Sequence, residues 1–166
     1  MKFTNIPSGA SVFIDANVLV RYFTADPVLG SACEALLLRV ENKDIEGYTS
    51  AIVVGETAHR LMTIEACATF GWPVQGIAQR LRNHPAEVQT LSRYRQAIDE
   101  VPLIPLHVLA VSYRAIALAA DVSRQFGLLC NDAAIIAVMR ENGLVHLASQ
   151  DTDFDRVAGI TRYSPN

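Results

Sequence analysis

The sequence predicts an α/β protein of three layers, α/β/α, built on a parallel sheet of four to five strands. Three observations point there. Short β-branched apolar runs alternate along the chain with longer segments of helical spacing, the pattern of repeated strand–helix crossovers. The first run, ending Val12-Phe13-Ile14, is apolar throughout, as a strand covered on both faces requires. And 166 residues, 51% hydrophobic and 19% charged, suit one compact domain, 1–166, with a full core and no repeat, linker or low-complexity stretch.

The elements follow in order. The first strand ends on Asp15, and Val18 to Thr24 continues as a short helix. Asp26-Pro27 is a break, with Pro27 suited to the first position of a second helix that ends near Asn42. Glu46-Gly47 reads as a turn and Tyr48 to Ser50 as a short second strand. From Ala51 the spacing of Ile52, Val53, Glu56, His59, Arg60 and Leu61 predicts a helix to about Ala68, punctuated by Phe70 to Pro73. Val74 to Arg82 and Pro85 to Glu100 read as two further helices. Leu103 to Leu106 is a third strand, kept short or at an edge by Pro102 and Pro105. His107 to Phe126 is a long helix stopped by Gly127, and Asn131-Asp132 opens another over Ala133 to Glu141. Val145 to Ala148 is a strand, Thr152 to Val157 a helical turn, and Ile160 to Tyr163 the last strand.

The totals exclude several classes. No apolar run approaches the roughly 20 residues needed to cross a bilayer. The start, with Lys2 and then Pro7, Ser8 and Gly9, lacks the layout of a secretion signal. Cys33, Cys67 and Cys130 are far apart, without paired zinc spacing, and suit a reducing cytoplasm. A formal charge of −3 argues against a protein that grips nucleic acid over its whole face. One stretch runs the other way: Arg80, Arg82, Arg93 and Arg95 stand against Glu87 alone between Pro73 and Ile98. Arginine's planar fork suits phosphate, and the same run reads equally as a solvated face.

Four places put a carboxylate where a strand ends or a helix begins. Asp15 follows the first strand, Glu56 lies early in the helix after the second, and Asp132 opens the helix before the last long strand. Asp151 and Asp153 follow that strand directly. In an open parallel sheet ligands bind outside the carboxyl ends of the strands, so these acids can converge. Hard cations such as Mg²⁺ or Mn²⁺ take oxygen ligands and keep several waters, so a few carboxylates hold them. An ion so held activates water and neutralises charge building on a phosphodiester. Each acid also has a plainer reading. Asp15 could cap the following helix, Glu56 could pair with Arg60, Asp132 could answer a helix dipole, and Asp151 or Asp153 could cap the last turn.

Phe13-Ile14-Asp15-Ala16-Asn17-Val18-Leu19 resembles the opening motif of PIN-domain ribonucleases, and specifically of the VapC toxins of type II toxin–antitoxin pairs. Ser50 to Glu56 is similar to their second motif, Cys130 to Ala137 to their third and Leu147 to Val157 to their fourth, in family order over nearly the whole chain. The resemblance implies a PIN-like domain acting as a Mg²⁺- or Mn²⁺-dependent endoribonuclease, dimeric, and held inactive by a cognate antitoxin. It implies Asp15 and Asp132 as main metal ligands, Glu56 and Asp151 completing the site, and Asn17 and Ser149 orienting ligands or waters from behind. Whether Asp151 or Asp153 reaches the metal stays open. The stretch from Ala66 to Glu100 departs from the family pattern in being longer and more helical. Against this stand a non-catalytic PIN-like module that binds RNA or protein, and a phosphatase with Asp15 as nucleophile. The phosphatase would want a second aspartate where this chain has Asn17.

Overall fold

A computed structural model describes residues 1–165. Five parallel strands form its sheet: β1 (Ser11–Ile14), β2 (Glu46–Ser50), β3 (Leu106–Leu109), β4 (His146–Ala148) and β5 (Thr161–Tyr163). Their order is β3-β2-β1-β4-β5. The chain steps outward from β1 through β2 to β3, then returns to the other side of β1 for β4 and β5. That reversal falls between β1 and its neighbour β4, where an open α/β sheet leaves a crevice at the carboxyl ends. Val12, Phe13 and Ile14 are fully buried, which is why the central strand carries no polar alternation. The ladder continues past β1, as Asp15 N–H donates to the Ala148 carbonyl at 3.1 Å.

Helices flank the sheet, completing the predicted three layers. They are α1 (Ala16–Phe23), α2 (Gly30–Glu41), α3 (Ala51–Phe70), α4 (Ile77–Asn83), α5 (Pro85–Val88), α6 (Arg93–Glu100), α7 (Tyr113–Phe126) and α8 (Cys130–Glu141). Helix α8 is buried without interruption from Ala133 to Met139 and fills the core with Leu19, Leu36, Leu37, Leu147 and Phe154. A second, smaller apolar cluster (Ala66, Ile77, Leu81 and Leu91, with Phe70 and Trp72 against it) builds a helical satellite at the far end of α3. This is the expected long helical stretch. No helix among the described residues is long and apolar enough to cross a membrane.

Several expected boundaries move, each for a local reason. The third strand lies at Leu106–Leu109 rather than Leu103–Leu106: Val101–Leu103 is a 3₁₀ turn, and pairing with β2 starts only after Pro105, which has no N–H to give. The long helix therefore begins at Tyr113, not His107, capped by Ser112 Oγ accepting from Ala115 N–H at 2.9 Å. Pro27 does not open α2. It lies instead in a turn held by Asp26, whose carboxylate accepts the N–H groups of Val28 and Leu29 at 3.0 and 2.8 Å, and α2 starts only at Gly30. Glu46-Gly47 belongs to β2, not to a turn. The span from Pro85 to Glu100 is two helices, because Glu65 reaches across from α3. Its carboxylate accepts from Ser92, Arg93 and Tyr94 N–H at 2.8, 3.0 and 3.0 Å and so sets a new helix start.

Candidate active site

Asp15 stands at the exit of β1 and is the N-cap of α1. It is 6% exposed and fully engaged. Oδ1 accepts the Ala16 N–H at 2.6 Å, and Oδ2 accepts the Ser149 hydroxyl at 2.6 Å and the Asn17 side-chain amide. Burial pushes this carboxyl up to about 6. The Ser149 and Ala16 hydrogen bonds oppose the rise, and the nearby charges of Glu56 and Asp132 add to it.

Ser149 and Asn17 join the two strand ends at the crevice. The Ser149 hydroxyl, wholly buried, also accepts from Asn17 Nδ2 and from Asp151 N–H, both at 3.0 Å. The other end of the Asn17 side chain accepts from Gln150 N–H at 3.2 Å. Asp15 and Asn17, at the cap and first turn of α1, and Ser149, Gln150 and Asp151 after β4 thus form one hydrogen-bonded unit across the sheet's switch point. Asp151 is itself a cap, accepting from Asp153 N–H at 2.8 Å at the head of the 3₁₀ turn Thr152–Arg156.

Asp132 arrives from the first turn of α8, half-buried. Among the described residues no protein donor gives it a hydrogen bond. Burial raises its carboxyl to about 6, and the charges of Asp151, Glu56 and Asp153, in that order, push the same way. Glu56, in the second turn of α3, pairs with Arg60 at 3.6 Å. Asp153 is held by Arg156 at 2.5 Å. The plainer readings of Asp15, Glu56 and Asp151 are therefore also realised, and Asp15 is at once a cap and a member of a repelling set. Burial first, and the neighbouring charges second, favour a neutral Asp15 and Asp132 at mildly acid pH.

The donor chemistry fits a hard divalent cation. All the facing groups are carboxylate or amide and hydroxyl oxygens, with no thiolate or imidazole among them. Among the described residues, no three histidine, cysteine, aspartate or glutamate side chains stand close enough to grip an ion unaided. A cation that keeps several waters and takes one or two carboxylates directly suits that spacing.

The four arginines fall outside this rim. Arg80 and Arg82 belong to α4, and Arg93 and Arg95 to α6, on the satellite; Arg95 is occupied by Asp99 at 2.9 Å. His59 is exposed, and Trp72 packs in the satellite against Phe70 and His84. Two features were not foreseen. Arg21, one turn beyond Asn17 on α1, donates to the Gln150 side chain and pairs with Asp26 at 2.6 Å, bracing the loop that carries Ser149. Arg162 in β5 donates to the Ser149 carbonyl at 3.0 Å while clasping Asp155 at 2.7 Å. The i,i+4 step from Asn17 to Arg21 was the only sequence signal for either.

A family model described as the PIN domain matches residues 12–160. Ribonuclease VapC6 of Methanocaldococcus jannaschii is 27% identical over 151 residues, covering 90% of this chain and 94% of that protein. Among solved structures, the VapC20 toxin of Mycobacterium tuberculosis, described as cleaving the sarcin–ricin loop, superposes with a TM-score of 0.61 at 19% identity. It spans 90% of this chain and 96% of its own. A chain of a toxin–antitoxin complex from Klebsiella pneumoniae matches with a TM-score of 0.52 at 16% identity, over 90% and 95% of the two chains. At these identities the solved structures speak to the fold.

Proposed function

The chain belongs to the PIN-domain family, and from that premise we propose that it is a metal-dependent endoribonuclease that hydrolyses RNA phosphodiester bonds as the toxin of a toxin–antitoxin pair. The observation that supports the reading is geometric: Ser149 ties the buried Asp15 carboxylate to the Asp151 backbone across the sheet's switch point, while Asp132 at the head of α8 has no protein hydrogen-bond donor among the described residues. A protein gains nothing in stability from crowding acids; a cation gives the crowding a purpose. The VapC relatives support RNA as substrate and an antitoxin as partner.

In this reading Asp15 and Asp132 hold the ion, with Glu56 and Asp151 completing its surroundings, and Mg²⁺ or Mn²⁺ is the ion. Bound there, it supplies Lewis-acid stabilisation of the scissile phosphate and of the attacking water. The chain's own part is positional. Ser149, Asn17 and the Ala16 N–H lock the Asp15 carboxylate in one orientation, so little ordering is left for the moment of binding. Asp151 ranks above Asp153 as a ligand, because its charge bears more strongly on Asp132 and Asp153 is engaged by Arg156. The protein acts as a cytoplasmic homodimer, and Arg80, Arg82, Arg93 and Arg95 are candidate RNA contacts.

The test is cleavage of labelled RNA by purified protein with Mn²⁺, with and without chelator. Cleavage that stops on chelation and in Asp15→Asn supports the reading. Equal cleavage in all arms shows that a contaminant or another site does the work. RNA binding without any metal uptake would favour the non-catalytic module instead.

A further inference from the structure

Between Pro73 and Ile98 four arginines face a single glutamate, a surplus of three in a chain of net −3, which leaves the remainder at −6. The fold concentrates that surplus on the satellite. Within it the arginines are not equal. Arg95 is bonded to Asp99, and Arg93 sits in reach of Glu65, whose charge it steadies. Arg80 and Arg82 are exposed and have no carboxylate within ion-pair range among the described residues. They flank Leu81, which is buried in the satellite cluster with Ala66, so the helix is anchored between them.

The Arg80 guanidinium lies 5.9 Å from the Trp72 ring centre. Trp72 is itself wedged by Phe70 at 4.7 Å and His84 at 5.0 Å, and His84 Nδ1 meets the Arg80 carbonyl at 2.7 Å. The cation is thus laid on a supported aromatic rather than left to sample solvent, which reduces what an arginine loses in ordering when it binds phosphate. The helix that carries Arg80 and Arg82 is seated on α3 through Ile77 and Leu81, both buried against Ala66.

We propose that this satellite is an RNA-docking arm, in which Arg80, braced on Trp72, and Arg82 hold backbone phosphates of a single strand whose scissile bond lies at the carboxylate rim. The assignment rests on the ribonuclease reading and deepens it by naming where the substrate is gripped. Helix α3 links the two places. Glu56 is in its second turn and Ala66 ten residues on, which at 1.5 Å per residue is about 15 Å along the axis. At roughly 3.4 Å per stacked nucleotide that is about four to five nucleotides. The acidic rim repels RNA away from the ion, so a separate cationic hold is what a chain of this net charge needs.

The probe is a fluorescein-labelled single-stranded RNA of 20 nucleotides, titrated by anisotropy with full-length protein from 50 mM to 1 M salt. Each phosphate contact on a single strand contributes about 0.7 to the slope of log affinity against log salt. Arg80→Ala/Arg82→Ala should therefore flatten the slope by about 1.4 and weaken binding about 25-fold at 0.1 M salt, a loss that closes towards 1 M. Arg80→Lys/Arg82→Lys keeps the charges and most of the slope, and circular dichroism confirms that both variants fold. In the cleavage assay the wild type should prefer the 20-mer over a trinucleotide, which is too short to reach from the rim to the arm, and the alanine variant should lose that preference. Wild-type binding with the slope unchanged in the variant overturns the arm and leaves the ribonuclease reading standing. Absence of wild-type RNA binding overturns both. Loss of binding to poly-glutamate, with RNA binding intact, overturns the arm in favour of an acidic protein partner.

Discussion

Asp15→Asn separates the chemistry of the rim from its effect on stability. The amide keeps an oxygen for the Ala16 N–H, and asparagine caps helices as well as aspartate, so α1 retains its start. What disappears is a buried charge. The wild-type carboxyl is pushed from 3.8 to about 6, and at about 1.36 kcal/mol per unit its ionisation costs the metal-free protein about 3 kcal/mol at pH 8. An amide N–H facing the Ser149 and Asn17 donors gives back about 1 kcal/mol of that. The variant should therefore be about 2 kcal/mol more stable at pH 8 in chelator, a rise of roughly 4–8 °C in melting temperature for a domain of this size. The sign with pH follows from a folded-state pKa above the unfolded one. The wild type gains stability from Asp15 as pH falls through about 6 towards 3.8, and the variant does not. Calorimetry at pH 8 and pH 4.5 in chelator reads both. A variant that melts lower than wild type at pH 8, or a gap that fails to narrow at pH 4.5, would show that no strained charge sits at Asp15.

Three further expectations concern the frame around the site. Ser149→Ala removes one donor to Asp15 and leaves the Asp151 N–H without its acceptor; it should cost about 1–3 kcal/mol in urea denaturation and depress RNA cleavage, and a neutral result in both would detach Ser149 from the site. Glu65→Ala strips three N–H groups at the head of α6, with an expected loss of about 2–4 kcal/mol and faster hydrogen exchange confined to the satellite. Although burial opposes it, those three backbone donors hold the Glu65 carboxyl below its ordinary range, so this stabilisation is present above pH 4.5 and fades as pH falls below it. Gly47→Ala would bring a methyl to 2.5 Å from Leu106 and 2.8 Å from Val40; overpacking should lower stability by about 1–3 kcal/mol, and an unchanged melting point would mean that β2 and β3 have room to part.

What could be read from the residues alone was whatever local chemistry decides. An unbroken apolar run ending on Asp15 announces a central strand and its exit, and the acids at strand ends announce the rim. The failures share a cause at longer range. Nothing between Pro85 and Glu100 foretells a break, because the group that stops one helix and starts the next is Glu65, some 27 residues upstream. Leu103 to Ala110 is apolar without a clear period, so only the pairing of β3 with β2 fixes the register. Arg21 meets Gln150, and Arg162 the Ser149 carbonyl, only after the sheet has brought β1, β4 and β5 together. Asp153 looks as free as Asp151 in the sequence; the difference is Arg156, one helical turn along.

The account stands on one physical proposition, that Asp15 at the exit of β1 and Asp132 in α8 hold a divalent ion, with Glu56 of α3 and Asp151 after β4 completing its surroundings. Titration of Mn²⁺ into the chelator-stripped protein, followed by calorimetry and electron paramagnetic resonance, tests it directly. Saturable binding in the wild type should be lost in Asp15→Asn and in Asp132→Asn and weakened in Glu56→Gln, with each variant folded by circular dichroism. Equal Mn²⁺ uptake by all four proteins would contradict the shared site.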